Sequence, residues 1–276
     1  MNLCDPFRRN EAAANITNRA ETISRYTHLR AVGRNLNHKL VERLNKGVLH
    51  EGGKRLGILR KDVLVFNSED ESAVLMDYCL YDVRRNGRNT VEQYLLDSAP
   101  DPESDEMVCL RSMQHAVYSL FIVESVISGF GVTVRDLLSN RTVLIADLGF
   151  GSTAQPGLIF ASRLLFHEGF TMTGGAALPI GVPPEDQRQA ITKKLAGAVT
   201  PDDDGYFDPA PIIRACLNRG CSSHVQYQEP TGRLMVGRQR ASERIRSAKA
   251  SRNAPCPCGS GKKFKNCCMR KQIGGP

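Results

Sequence analysis

Val117-Tyr118-Ser119-Leu120-Phe121-Ile122-Val123-Glu124-Ser125-Val126 opens a region in which the hydrophobic period changes. Val132-Thr133-Val134, Val143-Leu144-Ile145, Leu158 to Phe166 and Phe170 to Ile180 follow. Ser128-Gly129, Ser139-Asn140, Gly149 to Gly157 and His167-Glu168-Gly169 separate them. Short β-branched runs at this spacing, divided by Gly and Asn turns, predict a small antiparallel sheet or barrel over residues 117–180. His167-Glu168-Gly169 is expected to join two strands as a hairpin, and Pro179, Pro183 and Pro184 to end the sheet.

Before this region the period is helical. Ile16, Ile23, Tyr26, Leu29, Val32, Leu36, Leu40, Leu44 and Val48 recur mostly at three- and four-residue intervals. Gly33 and Asn35 predict a break between two helices, and Glu51-Gly52-Gly53 a stop. Asn67 or Ser68 is placed to cap a third helix, with Glu69, Asp70 and Glu71 at its positive end. Asn86-Gly87 should end it. Thr90 starts another short helix, and residues 106–116 form a further one. Residues 1–116 are therefore read as a helical region. A connector over 181–230 should hold a charged helix from Glu185 and a short one from Pro211. The predicted architecture is α+β: helical region, small β domain, helical connector, basic linker over 231–252 and a zinc knuckle over 253–273.

The chain has 276 residues, is 41% apolar and contains no Trp, an ordinary composition with little for base stacking. No apolar run reaches the ~18 residues of a membrane span, and Met1 to Arg9 lacks a signal-peptide core. A cytoplasmic location is the expectation, and nine cysteines then raise a metal question before a disulfide one. The formal charge of +8 is unevenly spread. From Thr231 onward twelve Lys and Arg face the single Glu243; residues 1–230 hold 25 basic and 28 acidic side chains. Such a tail is attracted to phosphate backbones and acidic surfaces.

Cys256-Pro257-Cys258 and Cys267-Cys268 place four thiols within thirteen residues, among Gly, Pro, Asn and Lys. So short and polar a segment orders only when cross-linked, and four thiolates around one zinc ion would do that. A complete sulfur set leaves no open coordination position, which makes the zinc structural. Lys262, Lys263, Lys265, Arg270 and Lys271 surround the knuckle as a basic docking surface. The stretch Pro255 to Cys268 resembles the SEC-C motif, the zinc-binding tail of the preprotein translocase motor SecA. That resemblance implies docking on a protein or ribosome surface, with contact to anionic lipid; it implies no translocase activity. Leu64 to Glu71, Met76 to Cys79 and Gly175 to Pro179 also resemble uncharacterised bacterial proteins that end in this motif.

Other patterns carry less. Gly259-Ser260-Gly261-Lys262-Lys263 fails the phosphate-loop pattern, with Cys256 at its first Gly and Lys263 at its Ser/Thr. Gly149-Phe150-Gly151-Ser152-Thr153-Ala154 looks like a dinucleotide fingerprint, but Pro156-Gly157 disfavours the required helix, so a turn is expected. Asp202-Asp203-Asp204 reads as a solvated loop. Cys216, Cys221 and His224 form at most an incomplete second metal set. The six His show no ligand spacing, and no catalytic constellation is visible, so no catalytic or cofactor-binding residue is assigned. The leading function is a cytoplasmic adaptor; the alternatives are an RNA- or ribosome-associated factor and an enzyme with its site in the β domain.

Overall fold

A computed structural model describes residues 18–66, 68–196 and 207–219. Helix α1 (Arg19–Val41) starts at Asn18, whose side chain accepts from the Glu21 amide. It buries Tyr26, Leu29, Leu36 and Leu40 along one stripe. The expected break at Gly33 does not occur. A helical Gly costs about 1 kcal/mol, whereas each Leu buried on either side of it contributes about 2 kcal/mol.

Helix α2 (Lys46–Leu56) likewise runs through Gly52 and Gly53 instead of stopping there. A Cβ at Gly52 would collide with the Cys79 sulfur, and one at Gly53 with the Leu64 side chain. The pair is a contact surface, not a stop; the stop is Gly57, at φ 76°. A two-stranded hairpin follows, β1 (Leu59–Arg60) with β2 (Val63–Leu64). Helix α3 (Glu69–Tyr81) is capped by Ser68 and has three carboxylates in its first turn, as expected. It ends at Asp82, earlier than expected. Asn86-Gly87 instead forms a tight turn closing an Arg85–Arg88 bridge. Helix α4 (Thr90–Ser98) carries a reciprocal Asn89–Glu92 capping box, and α5 (Asp105–Gln114) is capped by Ser104.

The β region is a closed barrel. Its strands are β3 (Val117–Ile127), β4 (Gly131–Asp136), β5 (Thr142–Ala146), β6 (Ile159–His167) and β7 (Phe170–Thr173). Neighbours run β3-β4-β5-β7-β6 and back to β3. All pair antiparallel except β5 with β7, where Ile145 faces Thr171 in parallel. Helix α6 (Leu148–Thr153) links β5 to β6, so the expected turn there is a helix. This order, with one short helix between the third and fourth strands, is that of the five-stranded Greek-key barrel known as the OB fold. Strand β8 (Leu178–Gly181) continues the free edge of β6. Pro179 lies inside β8, opposite Phe160, rather than ending the sheet; an edge strand tolerates a missing amide donor.

Alternation along β6 explains the layers. Phe160 and Leu164 point into the barrel, with Phe121, Val132, Val134, Ile145 and the Phe150 plug of α6. Ile159 and Ala161 point out, under α2, α3, α7 (Glu185–Ala196) and α8 (Ala210–Arg219). Leu165 points out under α1 and α5. At the α6 end the backbones touch: a Cβ at Gly151 would lie 2.7 Å from the Gly131 nitrogen. No helix among the described residues is long and apolar enough to cross a membrane.

Candidate functional site

Cys256, Cys258, Cys267 and Cys268, and Lys262, Lys263, Lys265, Arg270 and Lys271, lie outside the described residues, as do Asp202 to Asp204, Cys221 and His224. Cys216 lies on the buried face of α8, in the core with Ile212 and Ile213. The described cysteines, Cys79, Cys109 and Cys216, are unbridged and buried. Burial pushes the Cys79 thiol up to about 12 and the Cys109 thiol up to about 11, so both are protonated at neutral pH and poor nucleophiles. Among the described residues no three His, Cys, Asp or Glu converge as a metal set.

What sequence reading missed is a line of polar side chains on the outer face of β6, among otherwise apolar positions. Arg163 is the first. Its Nε donates to Asp77 Oδ2 at 2.9 Å and its terminal nitrogen to Asp82, both on or capping α3. The guanidinium lies 4.1 Å from the Tyr81 ring centroid and 5.4 Å from that of Tyr118. Its side chain is 4% exposed and that of Asp77 7%. Burial raises the Asp77 carboxyl against the pull of Arg163. Burial also works to neutralise Arg163, but the two carboxylates outweigh it and keep it charged. Charge, hydrogen bonds and ring faces are all matched here, so the group is a tie between α3 and the barrel.

A second tie fixes α1. Arg30 donates to Asp147 Oδ2 at 2.8 Å, to Thr173 Oγ1 at 3.0 Å and to the Thr173 carbonyl. Asp147 also accepts from Thr173 Oγ1 at 2.8 Å and caps α6 through the Phe150 amide at 3.1 Å. That carboxylate occupies the end of α6 where a dinucleotide phosphate would sit. Phe130, before β4, and Phe170, in the β6–β7 hairpin, pack into the same cluster as α1, with Tyr26 edge-on to Phe170 at 6.4 Å. Barrels of this topology bind oligomers at the face of their second and third strands and the flanking loops. Here the chain's own helix α1 packs against β5 and β7, beside that face.

Beside this contact a cavity of about 100 Å³ remains. Its α1 wall is Arg30, Gly33, Arg34, Asn37 and His38, successive positions on one helix face. Opposite stand Leu165, His167, Met172 and Gly174, and Tyr81, Cys109 and Met113 close it. Gly33 makes the room: a Cβ there would meet only Cys109 Sγ, at 4.0 Å. His167, 6% exposed, stacks on Phe170 at 5.1 Å, and neither ring nitrogen has a hydrogen-bond partner. Burial first, then the positive charges of Arg25 and Arg30, push its pKa down to about 4. At neutral pH the ring is uncharged, with one donor and one acceptor on offer. The sequence signal was present, a His as the first residue of a hairpin turn, but strand phase and cavity cannot be read from it.

The comparisons with known proteins divide the chain in the same way as its composition. The SEC-C motif matches residues 252–270. A 28-residue stretch is 64% identical to Protein translocase subunit SecA 1 of Rhodopirellula baltica, covering 10% of this chain and 2% of that protein. A 28-residue stretch is also 64% identical to the Uncharacterized protein YccF of Bacillus subtilis, 8% of whose length it covers. The chain thus spans less than a tenth of either relative. No solved structure matches it. Residues 20–197, which include the whole barrel and helices α1 to α7, match the Family of unknown function DUF7986, and the chain belongs to that family.

Proposed function

We propose that the protein is a docking adaptor whose C-terminal knuckle attaches it to a protein or ribosome surface. The observation that carries this reading is the tail itself. Cys256, Cys258, Cys267 and Cys268 lie in a stretch matched by the SEC-C motif, and the same short stretch recurs in a translocase subunit and in an otherwise different protein. A segment repeated on different bodies is a portable module. No His, Asp or Glu lies between the first and last of these thiols, so the donor set is all sulfur. That set suits one closed, structural zinc, which would order the segment and supply no reaction. Lys262, Lys263, Lys265, Arg270 and Lys271 would then face an acidic partner surface.

The RNA-associated reading has the charge of residues 231–276 in its favour. The barrel adds little to it, since α1 packs against β5 and β7 beside the face that binds oligomers elsewhere, and Arg135 on β4 is paired to Glu124 at 2.9 Å. Affinity capture with the full chain and its Cys258→Ser variant, with and without nuclease, tests the choice. The adaptor reading expects zinc-dependent retention that survives nuclease. Retention lost to nuclease favours RNA, and equal retention by Cys258→Ser overturns the zinc-dependent module.

A further inference from the structure

We propose that the cavity between α1 and the β6–β7 hairpin binds a small uncharged molecule of the phenol class, with its hydroxyl on His167 and its apolar body against Met113, Leu165 and Met172. The site lies in the body of the protein and is independent of the tail's docking. Three observations carry it. The first is an unmatched polar group. His167 lines the cavity, is 6% exposed, and neither ring nitrogen has a partner. Buried polar groups are normally hydrogen-bonded, and leaving one orphaned is costly. Four positions earlier on β6, the equally buried Arg163 meets two carboxylates and two tyrosine rings. The His167 ring is uncharged at neutral pH, so it offers one N–H donor and one acceptor nitrogen. A hydroxyl both donates and accepts, and so suits either nitrogen in either tautomer without bringing a charge.

The second is that the charges around the cavity are already engaged. Arg30 is held by Asp147 and Thr173, Arg34 also has a partner, and Arg25 is paired to Asp105 at 2.8 Å. Asp77, whose Oδ1 lies 3.5 Å from where a Cβ on Gly174 would stand, is held by Arg163. The Cys109 thiol, pushed up to about 11 by burial, donates to the Leu29 carbonyl at 3.7 Å. A charged ligand would have to draw one of these ions from its partner or bury its own charge unpaired, and a neutral one does neither. The third is the wall. Arg34, Asn37 and His38 are exposed and form the mouth, while Tyr81, Cys109, Met113, Leu165 and Met172 are buried and close the far side. A water molecule needs several polar partners, and that side is ring, thiol, thioether and alkyl. The volume, about 100 Å³, approaches the ~150 Å³ that holds benzene, and thioether sulfurs pack well at aromatic edges.

The test is NMR of the Met113 and Met172 methyl groups in the full-length protein, titrated with phenol, toluene and benzoate. Phenol should shift both methyl signals saturably at millimolar concentration. Benzoate should bind at least about tenfold more weakly, because its charge would be buried unpaired. Toluene has nearly the outline of phenol without the hydroxyl, so the pair isolates the hydrogen bond. In His167→Leu the affinity for phenol relative to toluene should fall about tenfold, the scale of one lost hydrogen bond, with toluene still bound. Should His167→Leu not fold, Gly33→Leu should abolish the phenol shifts by filling the cavity. No saturable shift with phenol, benzoate bound as tightly as phenol, an unchanged ratio of phenol to toluene in His167→Leu, or phenol binding undiminished in Gly33→Leu would each overturn the proposal.

Discussion

The body and the tail use charge in opposite ways. Among the described residues several cations are met by carboxylates of the same chain. Arg163 holds Asp77 and Asp82, Arg30 holds Asp147, Arg84 holds Glu92, Arg43 holds Asp97, and Lys39 holds Glu106. From Thr231 to Pro276 twelve cations share one carboxylate, so the segment cannot balance itself. Charge in the body joins helices to a barrel. Charge in the tail is what the proposed docking would use. The contrast separates what folds this protein from what is proposed to attach it, and each side can be tested by changes that should leave the other untouched.

The largest expected effect on stability is in the body. Arg163→Met takes this counter-charge away from buried Asp77 and Asp82, and should lower the unfolding free energy by about 3–5 kcal/mol in urea titrations. Adding Asp77→Asn and Asp82→Asn should restore part of it, and docking should not change. If Arg163→Met costs under about 1 kcal/mol, the tie between α3 and β6 is not the structural element described.

His167 gives the next effect, with a sign fixed by its environment. Its folded pKa of about 4 lies below the unfolded value near 6.5, so in that window the unfolded chain binds more protons. Stability should therefore fall as pH drops from about 6.5 to about 4, by about 3 kcal/mol, and this contribution should level off below. His167→Leu should remove that slope. A slope unchanged in His167→Leu would show that the ring is not the buried neutral group described.

Smaller effects belong to the tail. Replacing Lys262 and Lys263 by Gln should weaken docking by less than about tenfold and flatten its salt dependence, since exposed charges act mainly through steering and screening. Smallest of all, Cys258→Ser should change the urea unfolding of the body by less than about 0.5 kcal/mol, because the three apolar clusters that stabilise it are built from residues between Tyr26 and Cys216. A loss of several kcal/mol would join the two regions that the charge pattern separates.

Much of the fold was legible because local chemistry and tertiary packing agree there. Ser68 with its acidic first turn and the His167-Glu168-Gly169 hairpin are written in a few adjacent residues. The glycines were not legible. Gly33, Gly52 and Gly53 look like helix breakers, but two lie against the side chains of Cys79 and Leu64 and the third beneath a cavity. Those neighbours lie 11 to 76 positions away. The same distance hid the polar ties: Asp77 and Arg163 are 86 positions apart, Arg30 and Thr173 are 143 apart. Barrel closure through one parallel pair, Ile145 with Thr171, has no sequence signature, so the alternation could suggest strands but not their order. The tail reverses this. Its SEC-C motif was readable at once because the motif is specified by adjacent residues and their spacing.

The most direct measurement of the central claim is zinc content in reducing buffer, taken on the intact chain and on Cys258→Ser together with capture of the docking partner. The account predicts about one zinc per chain, and predicts that Cys258→Ser loses the metal and the partner together. An intact chain that holds its partner with no zinc bound would contradict it.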